Sequence, residues 1–458
     1  MNDITAFFAF LKYCLGYKEN MSKIVAGMDW QELYSFASKQ ALLGLCFEGI
    51  ERLGKEYPEE LRLNPIGREL LMTWMGKTQQ IRRQNMKVNA VAGKLFSMLR
   101  EDGLRCCILK GQGNALLYPN PYSRTPGDID VWINASRERI MKYTQKKFEL
   151  GDDIRLQHLE TSLDGVPVEL HFFPCSMNNP IYHARLQKWF RRYADLQCSN
   201  VVSLPDGIGA IAIPTTAFNV IYQLTHLYHH FFDEGIGMRQ IIDYFLVVND
   251  FSKNVFLNNK SSKIIPALFT LKEGSTAFPK PLSPQGTGDV TAPSRCSEPL
   301  RSKDGGPSKV SPDCAGWDRR GVSGDIASDT SVISAFTTDS SASTALVVVQ
   351  RELKYLGLWK FAGAVMYVLK EVLGLSEDKM IVPMDEKRGK LLLAEILDGG
   401  NFGRHFTKYA GFTHQSMGKK YFLKIWRNMH FVRYYPAEAL CEPLFRTWHF
   451  FWRMKNKK

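Results

Sequence analysis

The chain has 458 residues, of which 45% are hydrophobic and 23% are charged, and it carries a formal net charge of +13. This length and composition are typical of a globular protein with two or three domains, and they exclude a fibrous or wholly disordered chain. No basic segment precedes the first apolar run, and no later segment reaches about 18 uncharged apolar residues, so we expect neither a signal peptide nor a membrane span.

The nine cysteines are an odd number, and no two of them form a CxxC pair. Disulfide frameworks and zinc ribbons need paired cysteines, whereas scattered cysteines are typical of reduced thiols in the cytoplasm. The sequence therefore predicts a cytoplasmic protein without structural disulfides.

Residues 1–84 have the pattern of a helical region. The segment DWQELYSFASKQALLGLCFEGIERL carries apolar residues at helical spacing, and Asp29 at its start is a typical N-cap. A second long helical pattern starts near Leu70 and ends at Gly103, where glycine suits a helix C-cap.

Residues 85–205 change to strand patterns and are predicted to form a separate domain. The short apolar run RCCILKG predicts a buried strand that ends at Gly111. From Asp128 apolar and polar residues alternate, as in a strand with one face on a core. The segments QHLETSL and VPVELHF then flank Asp164-Gly165, a dipeptide typical of a tight hairpin turn.

Residues 206–270 and 345–458 return to helical patterns and are predicted to form one helical domain. Between them, residues 271–344 are rich in Gly, Ser, Thr, Pro and Asp and show no sustained apolar period. Such a segment buries too little apolar surface to offset its chain entropy, so we predict a disordered insertion. The GGNFG segment at 399–403 predicts a helix end more than a ligand loop.

The positive charge is concentrated at residues 401–458, which carry twelve Lys and Arg against two Glu and are rich in aromatic residues. One interpretation is an anionic partner, including a nucleic acid whose bases stack on the aromatic rings. The other is an amphipathic helical layer with a solvated basic face.

Three acidic residues have the spacing of a metal site. Asp128 and Asp130 are separated by one residue, so a strand directs both carboxylates to the same face, where they can hold Mg²⁺. An Asp-x-Asp sequence also arises by chance on a solvent-facing strand edge. Glu169 is a third acid, on a strand whose alternate residues are apolar. Three acids on neighbouring strands are the ligands that nucleotidyl transfer with two Mg²⁺ ions requires.

The segment LKGQGNALLY predicts a strand, a turn and a helix. Gly111 and Gly113 let the backbone approach a ligand, and the N–H groups that start the helix, from Gln112 onward, form an anion site. Lys110 and Arg124 supply positive charge for a triphosphate. Two glycines in a turn are also common without a ligand, and the GxxxxGK[ST] sequence of a P-loop is absent.

Two further sets of polar residues fall on predicted helices. His226, His229 and His230 have spacings that suit a metal, but without an HExxH motif they fit a helix surface or a pocket wall better. Arg239 and Asp243 have the i,i+4 spacing of an ion pair within a helix.

The order of glycine turn, helix, Asp-x-Asp strand and later strand carboxylate resembles the polymerase-beta-like nucleotidyltransferase superfamily. The segments LKG, LYP, R..GDIDVWI, VELHFFP, GIGMRQIIDYF and GGNFG more closely resemble an uncharacterised bacterial nucleotidyltransferase family. This resemblance covers most of the chain outside 271–344. It implies an α+β fold in which a small mixed β-sheet nucleotidyltransferase core, residues 85–205, is flanked by N- and C-terminal helical regions.

The resemblance also implies roles for individual residues. Asp128 and Asp130 would bind Mg²⁺, Glu169 would be the third catalytic acid and metal ligand, and Gly111 would lie in the phosphate-facing turn. The superfamily usually has Gly-Ser or Gly-Gly at this turn, whereas this chain has Gly111-Gln112.

The sequence thus predicts an Mg²⁺-dependent nucleotidyltransferase that moves a nucleoside monophosphate from a triphosphate such as ATP to an acceptor and releases pyrophosphate. The acceptor is left open among a sugar phosphate, a small metabolite, a protein side chain and an RNA end. The alternative is a catalytically silent member of the same fold that binds a nucleotide or nucleic acid.

Overall fold

The computed structural model describes residues 3–149, 155–260, 342–406 and 417–456. Across these residues the fold is α+β, with a mixed sheet of four strands and a second sheet of two strands among many helices. This confirms the predicted fold class. The predicted insertion at 271–344 lies outside the described residues except for its last three residues, which already belong to a helix.

The N-terminal region is helical. Asp29 caps its third helix, because the Asp29 carboxylate accepts hydrogen bonds from the backbone N–H groups of Gln31 and Glu32, both at 2.9 Å. The segment that follows Asp29 forms two helices and not one, since Ala41 between them has a φ of +57°. Gly103, with a φ of +73°, follows the end of the last helix, as predicted. These helices are α1 Asp3–Cys14, α2 Ser22–Ala26, α3 Trp30–Lys39, α4 Leu43–Glu56, α5 Pro58–Leu63 and α6 Arg68–Glu101.

The four-stranded sheet has the order β1-β2-β4-β3, in which β2 and β4 are parallel and the other two pairs are antiparallel. Asp164 and Gly165 form the turn of the β3–β4 hairpin with φ angles of +49° and +71°, which confirms the predicted tight turn. The short helix α7 connects β1 to β2, and α8 follows β2. The bounds are β1 Cys106–Leu109, α7 Gly111–Ala115, β2 Ile129–Ile133, α8 Arg137–Lys147, β3 His158–Leu163 and β4 Val166–His171.

The two faces of this sheet differ in chemistry. On one face the apolar residues of β2 and β4, including Val131 and Val168, pack in a core with the apolar side of α6. On the other face Trp132 stacks on Phe218 of a C-terminal helix, with ring centroids 6.2 Å apart. Because side chains alternate along a strand, Asp130 shares this second face with Trp132. The acids therefore face the helices that follow the sheet.

The C-terminal region is mainly helical. The predicted helix end at GGNFG is confirmed, since α14 ends at Gly399 and Gly400 follows with a φ of +62°. Helix α12, after the predicted insertion, packs against α10 and α11, before it. The elements of this region are α9 Pro180–Ser199, β5 Val201–Ser203, β6 Ala210–Ala212, α10 Thr216–Asp233, α11 Met238–Lys260, α12 Ala342–Tyr355, α13 Trp359–Leu373, α14 Glu386–Gly399, α15 Met417–Phe431, α16 Pro436–Ala439 and α17 Cys441–Asn456.

The sequence predicts that the cysteines are reduced and that no helix spans a membrane. The seven cysteines within the described ranges are free thiols, as expected. Among the helices that the structure describes, none has both the length and the apolar character that crossing a membrane requires.

Candidate active site

Strand pairing brings the three predicted acids together. In the parallel pair of β2 and β4, Asp130 lies directly opposite Glu169. Asp128 comes immediately before β2, two residues from Asp130. Asp130 is buried, Glu169 is half-buried and Asp128 is exposed. The three carboxylates therefore form one cluster that runs from the interior of the sheet to the protein surface.

The charges in this cluster are strongly coupled. The negative charge of Asp130 raises the pKa of the Asp128 carboxyl to about 6. Burial disfavours the charge of Asp130, but the ammonium of Lys110 and a hydrogen bond with His171 outweigh it and lower the pKa of Asp130 below its ordinary value. Carboxylates that repel each other in this way are a fitting ligand set for a hard cation such as Mg²⁺, which would relieve the repulsion.

Lys110 is held against the acids by its backbone and by two side-chain contacts. Its Nζ lies 2.9 Å from Asp130 Oδ1 and 2.8 Å from His226 Nε2. Lys110 has a φ of +52° and a ψ of −130°. Residues other than glycine rarely adopt this backbone conformation, which costs on the order of 1–3 kcal/mol. The fold therefore maintains an unfavourable backbone conformation at the residue that carries the ammonium into the site.

The remainder of the predicted phosphate-binding turn is packed into the protein. Gly111 has a φ of +34°, and Gln112 is only 2% exposed. A Cβ atom on Gly113 would lie 3.0 Å from Ile213 Cγ2, so a larger residue would not fit there without movement. Any contact of Gly111, Gln112 or Gly113 with a phosphate is thus left to their backbone N–H groups.

Arg124 is engaged in an internal ion pair. Its Nε and Nη2 donate to Asp243 Oδ1 and Oδ2 at 2.8 and 2.7 Å, and both side chains are buried. Tyr118 also donates to Asp243, at 2.8 Å. Asp243 is therefore paired with Arg124, and not with Arg239 as the sequence predicted. Arg239 instead donates to the backbone oxygen of Thr125 at 3.0 Å. The Arg124 guanidinium, which was predicted to bind a triphosphate, already has a carboxylate partner.

Two histidines of the β3–β4 hairpin, neither of them predicted as a site residue, complete the cluster. His171 Nε2 lies 3.0 Å from Asp130 Oδ1 and 3.1 Å from Glu169 Oε2. Burial opposes its positive charge, but these hydrogen bonds raise the pKa of the imidazole to about 9. His158 on β3 is paired directly with His171 across the hairpin. The alternation of side chains along β4, which puts Glu169 and His171 on one face, is the sequence signal that could have identified His171.

The comparison with known families decides the family of the chain. A family model described as an uncharacterised nucleotidyltransferase matches residues 26–264, which is more than half of the chain. The chain belongs to this nucleotidyltransferase family. The match includes the complete acid cluster and agrees with the resemblance found in the sequence.

The comparisons with solved structures and with curated proteins carry little information about this chain. Among solved structures, this chain is similar to an antigenic nucleotidyltransferase-like protein from Paracoccidioides brasiliensis, with 17% sequence identity and a TM-score of 0.25. The matched part covers 35% of this chain and 75% of that chain. No curated protein matches the sequence.

Two histidines of α10 link Lys110 of the acid cluster to Glu234. His226 Nε2, which contacts Lys110, lies 2.9 Å from His230 Nε2, and His230 Nδ1 lies 2.8 Å from Glu234 Oε1. Burial and the charge of Lys110 hold the pKa of His226 well below its ordinary value. A neutral His226 can accept a hydrogen bond from the Lys110 ammonium, so α10 helps to fix Lys110.

A cavity of about 160 Å³ lies beside the cluster, and His229 is part of its wall, as one interpretation of the sequence expected. The cavity is smaller than the roughly 300 Å³ at which sites for drug-sized ligands begin. Its lining is mainly polar and charged: Arg155, Leu156, Gln157, His158, Ser176, Asn178, His229, Asp233, Glu442, Phe445, Arg446 and His449.

Proposed function

We propose that this protein transfers a nucleoside monophosphate from a nucleoside triphosphate to an acceptor hydroxyl or phosphate. The acceptor oxygen bonds to the α-phosphorus, the bond from that phosphorus to the bridging oxygen breaks, and pyrophosphate leaves. The observation that carries the proposal is the register of β2 and β4, which pairs Asp130 with Glu169 beside Asp128 in a chain of this family.

In this proposal Asp128, Asp130 and Glu169 hold Mg²⁺, with two ions expected. When bound, Mg²⁺ neutralises charge on the phosphates and lowers the pKa of the attacking hydroxyl. The raised pKa of Asp128 supports this assignment, because it reflects repulsion among acids that a cation relieves.

The protein itself contributes charge and orientation. Lys110 carries its ammonium to within 2.9 Å of Asp130, where it can also bind a phosphate oxygen. The backbone N–H groups of Gly111, Gln112 and Gly113 provide further donors for the phosphates. His171 holds Asp130 and Glu169 in place, and we assign Arg124 to fixing the loop ahead of Asp128 rather than to direct phosphate binding.

The acceptor and the partner of the basic C-terminal region are proposed only as classes. The acceptor remains a sugar phosphate, a small metabolite, a protein side chain or an RNA end. An anionic partner for the C-terminal region is supported by exposed aromatic side chains on α15 and α17, among them Phe422, Phe450 and Phe451. A cytoplasmic location is supported by the seven free thiols among the described residues.

A silent nucleotide-binding protein is the second candidate. Two observations favour it: the buried Gln112 stands where the superfamily has a small residue, and Arg124 is already paired with Asp243. Both reduce the number of groups that are free to bind a triphosphate.

Pyrophosphate release from labelled nucleoside triphosphates with Mg²⁺ tests the proposal. We expect Asp128→Asn and Glu169→Gln each to lower the rate at least about 100-fold, the low end for loss of a catalytic acid or base. Asp164→Asn is the matched control, since Asp164 is an exposed acid in the turn of the same hairpin and tolerates Asn at its positive φ.

The outcomes separate the two candidates. Release that is unchanged in both active-site variants would contradict catalysis by this cluster. Binding of nucleotide that requires Mg²⁺, without release for any acceptor class tried, would favour the silent protein.

A further inference from the structure

The β3–β4 hairpin gathers two histidines and a glutamate on one face of the sheet. His158 and His171 are cross-strand partners, and their ring centroids lie 5.0 Å apart. Glu169 precedes His171 by two residues and therefore shares its face. One nitrogen of each ring and one Glu169 oxygen all lie within 4.8 Å of one another.

The imidazole of His158 is buried, with the residue only 8% exposed. Among the residues that the structure describes, neither ring nitrogen has a hydrogen-bond partner. Its Nδ1 is 3.4 Å from Glu169 Oε2, but the contact lacks hydrogen-bond geometry. Burying an unpaired imidazole is unfavourable, so a group that binds its nitrogen is needed to satisfy it.

The separations in the cluster match those between ligands of one metal ion. Nitrogen and oxygen ligands at 2.0–2.2 Å from an ion lie about 3.0–3.5 Å from each other in tetrahedral or octahedral geometry. The distances here are 3.4 Å from His158 Nδ1 to Glu169 Oε2, 3.1 Å from His171 Nε2 to the same oxygen, and 3.0 Å from His171 Nε2 to Asp130 Oδ1. His158, His171 and Glu169 can therefore surround one ion with small movements, and Asp130 contacts the His171 ligand from beside the site.

We propose that His158, His171 and Glu169 form a site for a first-row transition metal ion, with Zn²⁺ as the best match. Two imidazole nitrogens and one carboxylate are a donor set that Zn²⁺ accepts readily, whereas Mg²⁺ prefers oxygen ligands alone. His158 also lines the 160 Å³ cavity, which gives the ion a polar route to the site.

This metal site differs from the proposed Mg²⁺ site in its donor atoms, although the two sites share Glu169. It requires no nucleotide, and Asp128 is not part of it. Asp128→Asn is therefore expected to lose pyrophosphate release and to keep Zn²⁺ binding. The two proposals can fail independently.

The test measures metal binding by the full chain after removal of bound metal with a chelator and without nucleotide. Calorimetric titration with Zn²⁺ should show one equivalent bound. We expect His158→Gln and His171→Gln to weaken Zn²⁺ binding more than about 100-fold, since loss of a group that only supports a ligand already costs about 10- to 100-fold.

His430→Gln is the control, because His430 is exposed on α15, away from the hairpin, and should bind Zn²⁺ like the wild type. Circular dichroism checks that each variant is folded, and His158→Gln is the milder of the two changes because His158 makes no hydrogen bond within the described part of the chain. Absence of Zn²⁺ binding by the wild type, or unchanged affinity in folded His158→Gln, would overturn the proposal.

Discussion

Arg124 and Asp243 form a buried two-point ion pair between residues that are 119 positions apart in the chain. Arg124 lies in the loop that leads to Asp128, and Asp243 lies on α11. The pair therefore joins the loop ahead of the acid cluster to the helical region behind it.

Removing one partner of this pair should destabilise the protein strongly. We expect Asp243→Ala to lower the free energy of unfolding by about 3–5 kcal/mol, because the charge of Arg124 stays buried without a partner. The measurement is guanidinium-induced unfolding. Asp195→Ala breaks the Arg105–Asp195 pair, whose side chains are 52% and 70% exposed, and should cost less than about 1 kcal/mol. Equal losses in the two variants would contradict the structural role of the buried pair.

Neutralising Asp128 should stabilise the metal-free protein. The pKa of Asp128 is raised from 3.8 to about 6, so its ionisation costs stability increasingly as pH rises from about 4 to 6 and fully above that. Asp128→Asn should therefore be more stable at pH 8, by up to about 1 kcal/mol since the residue is exposed and screened. Thermal unfolding with and without Mg²⁺ checks this, and the variant should lose the stabilisation by Mg²⁺. If metal-free Asp128→Asn were less stable than the metal-free wild type, repulsion between Asp128 and Asp130 would be contradicted.

Glycine at position 110 should be tolerated better than alanine. Both Lys110→Gly and Lys110→Ala lose the contact with Asp130, but only glycine adopts a φ of +52° with a ψ of −130° without strain. We expect the glycine variant to be more stable by about 1–2 kcal/mol in urea unfolding. Equal stability would mean that the backbone at this position relaxes when the side chain is removed.

Glu438, which does not belong to the acid cluster, should make the free energy of unfolding depend on pH. It accepts backbone hydrogen bonds from Asn178 and Asn179, yet burial raises its pKa from 4.5 to about 7. The folded state keeps the proton longer than the unfolded state, so stability relative to Glu438→Gln should fall by up to about 3 kcal/mol between pH 4.5 and pH 7. Unfolding of both proteins across this range tests the slope, and a difference that does not change with pH would contradict it.

The acid cluster was predictable from the sequence because its signals are local. Alternation from Asp128 to residue 133, and the hairpin turn at Asp164-Gly165, define two strands and the faces that carry Asp130 and Glu169. The family resemblance then linked the acids to one reaction. The helix end at Gly103 has an equally local signal.

The remaining features depend on contacts between distant residues. Arg124 was assigned to a triphosphate because the pairing with Asp243 has no local signal, and the i,i+4 spacing pointed to Arg239 instead. His226 contacts Lys110 across 116 positions, which periodicity cannot predict. His171 did have a local signal, as a neighbour of Glu169 on the same face, but its role depends on Asp130 in another strand.

The register of β2 and β4 is maintained by packing on the face of the sheet opposite the acid cluster. Val131 and Val168 lie in the core under the sheet, and a slip of β4 by one residue would send Glu169 into that core and bring Val168 to the acids. Hydrophobic packing on the opposite face therefore fixes the spacing of the acids. Substitutions at Val131 or Val168 that disturb this packing should therefore displace Glu169 relative to Asp130, although neither valine belongs to the acid cluster.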